Sequence, residues 1–174
     1  MEGVEKNKVR LLAHNNEWVN EFLQVKSQIV TIWYNNIIDI QHVGSTAIFN
    51  ISAKPILDIA VRLKSINRMD VDSMNQMGYE YCGPQFGSDT YHLYVLRNEN
   101  QLSLRHIHCY DVLDKEFFQL VGFRDYLNSH SDVARKYQEL KESLAAQYPD
   151  DRIAYTNGKS EFIQNIYTLL DSYI

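Results

Sequence analysis

Apolar residues at Trp18, Phe22, Val25, Ile29 and Ile32 recur at steps of three and four. This spacing predicts an amphipathic helix that starts after Asn15-Asn16 and ends near Tyr34. Before it, Val9 to Ala13 is a short apolar run expected to form an edge strand. Ile37 to Val43 alternates and is β-branched, and Pro55 to Leu63 is a second such run with its proline at the start, so both predict strands. Between them, Gly44 to Ser52 is a small and polar connector with room for one helical turn. Asn67 to Met77 suits a helix stopped by Gly78. Tyr79 to Cys82, Thr90 to Leu96 and Leu102 to Tyr110 predict three more strands, separated by the turn-rich stretch Gly83 to Asp89 and a hairpin turn over Arg97 to Gln101. From Lys115 onward the period becomes helical, interrupted at Pro149-Asp150-Asp151 and resumed through Phe162, Ile163, Ile166, Leu169 and Leu170. Strands in the first two thirds and helices in the last third indicate an α+β fold with a mixed or antiparallel sheet.

The chain has 174 residues, 45% of them hydrophobic and 22% charged. That length suits one domain, taken here as residues 1–174, with a core of its own. A net charge of −5 argues against broad nucleic-acid binding while leaving room for a local cationic pocket. Cys82 and Cys109 have neither disulfide-framework nor metal-ligand spacing, and read as reduced thiols of a cytoplasmic protein. No apolar run is long enough to span a bilayer. The composition does not address oligomeric state.

Two segments carry candidate chemistry. In His42-Val43-Gly44-Ser45-Thr46, a glycine directly after a strand lets backbone N–H groups approach an anion, and two hydroxyls follow. An ordinary turn explains the same residues. In Lys54-Pro55-Ile56-Leu57-Asp58-Ile59-Ala60-Val61, an acid sits within a β-branched strand, where it needs a partner, a metal or solvent. An ion pair with Lys54 or Arg62 is the simpler reading. Taken together, Gly44-Ser45 and an acid on the adjoining strand have the layout by which nucleotidyltransferases grip phosphates and hold a divalent cation.

These two segments resemble the signature of the GrpB family, which has a nucleotidyltransferase-like fold. Tyr91 to Val95, His106-Ile107-His108, Phe123 to Leu127 and Tyr148 to Lys159 are similar to later blocks of that family. Phe49-Asn50 departs from the family's usual Pro-Gly. The resemblance implies a mixed sheet flanked by helices with a helical C-terminal third, and a nucleotide or other phosphorylated small molecule as partner. GrpB-like domains fused to dephospho-coenzyme A kinase hint at nucleotide or coenzyme chemistry.

Active nucleotidyltransferases place two acids two residues apart on the second strand, whereas here the position after Asp58 on that face is Ala60. The compensating pair is His106 and His108, which share a strand face and with Asp58 form a two-histidine, one-carboxylate set suited to Mn or Zn more than Mg. His42 and His92 are further histidines expected near it. Asp58 is thus the candidate catalytic and metal-binding acid. Gly44, Ser45, Thr46, Lys54, Arg124 and Lys159 are the candidate phosphate-binding residues, with Arg105 a further cation. Three functions follow: metal-assisted nucleotidyl or phosphoryl transfer, a non-catalytic ligand-sensing or protein-interaction module, and a His/Asp-ligated metallohydrolase.

Overall fold

A computed structural model describes residues 1–172. Helix α1 (Glu17–Trp33) begins where Asn15 Oδ1 accepts the Glu17 amide, and it buries Trp18, Val25, Ile29 and Trp33 along one stripe. Side chains of this size each contribute about 1.5–3 kcal/mol when removed from water. The stripe covers one face of a five-stranded sheet: β1 (Ile37–Val43), β2 (Leu57–Leu63), β3 (Tyr79–Gln85), β4 (Ser88–Arg97) and β5 (Ser103–Asp111). The strand order is β1-β2-β5-β4-β3. Only β2 and β5 pair in parallel, so β5 is inserted beside β2 after the chain has left the sheet through α2 (Val71–Gln76) and returned along β3 and β4.

Ile40, Leu57, Ile59, Val61, Ile107 and Cys109 point toward α1 and α2 and form the main core. The alternate residues face the C-terminal helices α3 (Lys115–Ser129), α4 (Ser131–Gln147), α5 (Arg152–Asn157) and α6 (Ser160–Asp171). On that side Val43, Ala60, Tyr91, Tyr110 and Phe117 pack together, and Phe123, Leu127, Tyr137 and Ile166 form a second cluster with Ile48 and Ile51. The expected α+β fold with a helical last third is therefore observed, and its C-terminal helices roof one face of the sheet. Among the described residues no helix is long and apolar enough to cross a membrane.

Several boundaries differ from the sequence reading. Val9 to Ala13 is not a strand: Leu12 alone bridges to Ala53, while the Val9 amide bonds the carbonyl of Pro149. With its amides answered by two separate partners, the segment is a strap across the molecule. The expected helix over Asn67 to Met77 is split into a 3₁₀ turn, Ile66–Arg68, and α2. Asp70 causes the break, since its extended backbone frees the side chain to accept the Ser73 amide as an N-cap. Strand β2 begins at Leu57, two residues beyond Pro55, and β3 continues to Gln85 through an irregularity at Gly83-Pro84. The hairpin turn there is only Phe86-Gly87.

Candidate metal and phosphate site

The strand register brings the acid and the histidines together. Asp58 lies directly across the parallel pair from His106, and Ala60 directly across from His108. Opposed residues share a sheet face, so all four side chains point toward the C-terminal helices. Asp58 Oδ1 lies 3.1 Å from His106 Nδ1 and 3.2 Å from His108 Nε2. A carboxylate only accepts, so each ring nitrogen donates to it. In a neutral imidazole this leaves His108 Nδ1 to accept from the Tyr91 hydroxyl, 2.8 Å away. Tyr91 also stacks on the His108 ring and thereby fixes its plane.

Burial alone would raise the Asp58 pKa, but the hydrogen bonds from His106 and His108 outweigh it and hold the carboxyl well below the usual range. His106 is lowered, chiefly by burial and against the pull of Asp58. The methyl group of Ala60 supplies no ligand, and it is His108 that faces this position.

Gly44 makes the approach of the next loop feasible. It follows β1 with φ 70°, and a Cβ built there would meet Asp58 Oδ2 at 2.6 Å. The glycine therefore sits against the carboxylate, and a 3₁₀ turn over Ser45–Ala47 begins at once. Ser45 is half-buried, with the Tyr137 hydroxyl beside it.

Gly44, Ser45, Asp58 and His106 form one wall of a cavity of about 260 Å³. The opposite wall comes from the C-terminal helices, with Tyr137 of α4, Arg152, Tyr155 and Thr156 of α5, Lys159, and Ile163 and Tyr167 of α6. Lys54, which precedes β2, completes it. Two ammonium groups lie on the Tyr155 ring, with Lys54 Nζ 5.2 Å and Lys159 Nζ 4.6 Å from its centroid. Burial, then the neighbouring Lys159 and Arg152, pushes Lys54 down to about 7. Burial also lowers Lys159, to about 8, with Asp58 opposing and Arg152 adding to the drop.

The structure thus gathers Gly44, Ser45, Thr46, Lys54, Asp58, His106 and Lys159 around one cavity, with His108 beside them bonded to Asp58. Thr46 lines it while its hydroxyl is engaged by His42 Nε2 at 2.9 Å. Arg124 stands apart. Its guanidinium donates to Gln41 Oε1, to the His42 carbonyl and to Asp125, which ties α3 to the edge strand β1 away from the cavity. Arg105 pairs with Glu21 of α1. His42 stacks on Phe22 of α1, and His92 bonds Tyr81, so both belong to the other face of the sheet. Arg152, Tyr137, Tyr155 and Tyr167 were not singled out from the sequence. The available signal was the family-like block Tyr148 to Lys159, which contains Arg152 and Tyr155.

A model of the GrpB protein family matches residues 8–169. The chain belongs to the GrpB family. It is 34% identical over 170 residues to the glutamate-rich protein GrpB of Alkalihalophilus pseudofirmus, covering 95% of this chain and 98% of that one. Against protein YqkA of Bacillus subtilis the identity is 33%, over 91% of this chain and 46% of YqkA. The crystal structure of the conserved protein GrpB from Enterococcus faecalis is similar at a TM-score of 0.85 and 29% identity, covering 94% of this chain and 99% of that one.

The grouping of one carboxylate and two imidazoles raises the question of a divalent cation. One ligand atom each from Asp58, His106 and His108 lies within 4.8 Å of the other two. One carboxylate with two imidazoles is a poor match for Mg²⁺, which favours oxygen ligands, and a good match for Zn²⁺, Mn²⁺ or Fe²⁺.

Proposed function

We propose that this GrpB protein binds a phosphorylated small molecule, a nucleotide or a smaller phosphate ester, together with a divalent transition metal. The observation that carries this reading is a single cavity with metal-ligating groups on its sheet wall and cations on its helical wall. Asp58, His106 and His108 would hold the ion, with Tyr91 fixing the orientation of His108. When bound, the ion would neutralise phosphate charge and align phosphate oxygens. Gly44 brings the turn against Asp58 and presents the Ser45 hydroxyl to the cavity. Lys54 and Lys159 supply charges that offset an anion.

Ala60 favours binding, or transfer chemistry with a transition metal, over two-carboxylate Mg²⁺ nucleotidyl transfer. Thermal melts of the full chain test the reading, with Mn²⁺ or Zn²⁺ and with AMP, ATP or inorganic phosphate, alone and combined. The expected result is a rise in Tm with metal that increases further with phosphate and disappears in Asp58→Asn. No rise with any combination would sink the proposal.

A further inference from the structure

We infer that the cavity is built for a terminal phosphate monoester rather than a diester, with the rest of the ligand outside its mouth. This deepens the phosphate-binding reading and rests on it. Lys54, Arg152 and Lys159 line one cavity, and among the described residues none of the three is in a salt bridge. Arg105 is answered by Glu21, Arg124 by Asp125 and Lys141 by the carbonyl of Ser52, while half-buried Arg62, also without a salt bridge, stands alone over the Phe117 and Phe118 rings. Half-buried cations without a counter-charge are costly, and three around one space specify an anion.

Their positions go against local preference as well. Arg152 opens α5, and Lys159 occupies the N-cap of α6, where the helix dipole disfavours positive charge. Such breaches of local rules concentrate at functional sites. Tyr155 follows Arg152 by three residues, so both lie on one helix face, and both lysine ammonium groups lie against the buried Tyr155 ring.

Charge and size then select the ligand. Against the three cations the cavity carries one carboxylate, Asp58, which leaves an excess of up to two positive charges once a bound anion keeps Lys54 and Lys159 protonated. A phosphate monoester carries about −1.5 to −2 at neutral pH and balances that excess, whereas a diester carries a single charge and does not. A bound divalent ion enlarges the excess and the preference. At about 260 Å³ the cavity is below the roughly 300 Å³ at which sites begin to enclose whole drug-sized ligands. Exposed Thr156 marks its mouth. A phosphoryl group fits inside against the three cations, and the rest of a nucleotide-sized ligand extends toward that mouth.

Isothermal titration calorimetry of the full chain, with and without Mn²⁺, tests this with methyl phosphate, dimethyl phosphate and AMP. Methyl phosphate should bind at least about tenfold more tightly than dimethyl phosphate, and AMP within about threefold of methyl phosphate. Lys54→Gln and Arg152→Gln should each weaken methyl phosphate by about tenfold or more while the melt stays cooperative. Equal binding of the diester, or AMP more than about tenfold tighter, overturns the inference and leaves phosphate binding standing. Failure of every phosphate to bind overturns both. The selectivity among the three ligands is read on the unmodified protein, so it holds even where a variant fails to fold.

Discussion

Replacing Lys159 with glutamine should stabilise the ligand-free protein near neutral pH. The ammonium is half-buried, caps the wrong end of α6 for its charge, and shares the Tyr155 ring with Lys54. Its pKa falls from 10.5 to about 8, mainly through burial. A drop of that size corresponds to roughly 3 kcal/mol against the charged form. Partial exposure lets water and salt screen some of this. The glutamine also forgoes a cation–π contact of roughly 0.5–1 kcal/mol. The net gain is therefore about 1–2 kcal/mol, or roughly 2–8 °C in Tm for a chain of this length. The sign of the pH dependence follows from proton counting. Between about pH 8 and 10.5 the unfolded chain keeps a proton on Lys159 that the folded protein has lost. Stability of the unmodified protein rises with pH across that window, and the variant's advantage fades. Calorimetric melts of both proteins at pH 7, 8.5 and 10 measure this. A variant that melts lower at pH 7, or an advantage equal at pH 7 and 10, refutes the reasoning.

Two further substitutions probe the sheet side of the cavity. Gly44→Ala places a methyl group 2.6 Å from Asp58 Oδ2 at a positive φ, and should cost about 1–3 kcal/mol in urea unfolding; a loss below about 0.5 kcal/mol contradicts the proposed close approach. Tyr91→Phe keeps the ring that stacks on His108 and removes only the hydroxyl at 2.8 Å. Mn²⁺ or Zn²⁺ affinity should fall about 10–100-fold with little change in stability, and unchanged affinity removes Tyr91 from the site.

How much of this was legible in the sequence depended on whether a feature is local. Strand β1 was legible from Ile37 to Val43 because alternation of apolar residues maps directly onto the two faces of a strand. The grouping of Asp58 with His106 and His108 was legible through their side-chain periods once their strands were placed side by side. Of the helical wall only Lys159 was. Arg152, Tyr155 and Tyr167 reach the cavity by packing of α5 and α6 over the sheet, and no spacing in the chain relates them to Asp58. Arg124 shows the converse. It lies in a segment similar to a family block, yet which side of α3 it occupies is decided by its bonds to Gln41 and the His42 carbonyl. Val9 to Ala13 has strand composition but lacks a neighbouring strand along its length, and composition cannot supply one.

The one parallel pairing of the sheet has a kinetic corollary. Strands β3, β4 and β5 follow one another as hairpins, whereas Asp58 and His106 are 48 residues apart in the chain. Loop-closure entropy favours the hairpins as the early structure and leaves the β2–β5 seam for the end. We therefore expect folding-rate measurements to give low φ-values for conservative truncations at Ile59 and Val61, and higher ones at Tyr94 and Ile107; the reverse order would exclude this sequence of events. On this view Asp58, His106 and His108 come together in the last step of folding, so a chain stalled before it holds the histidines without the acid.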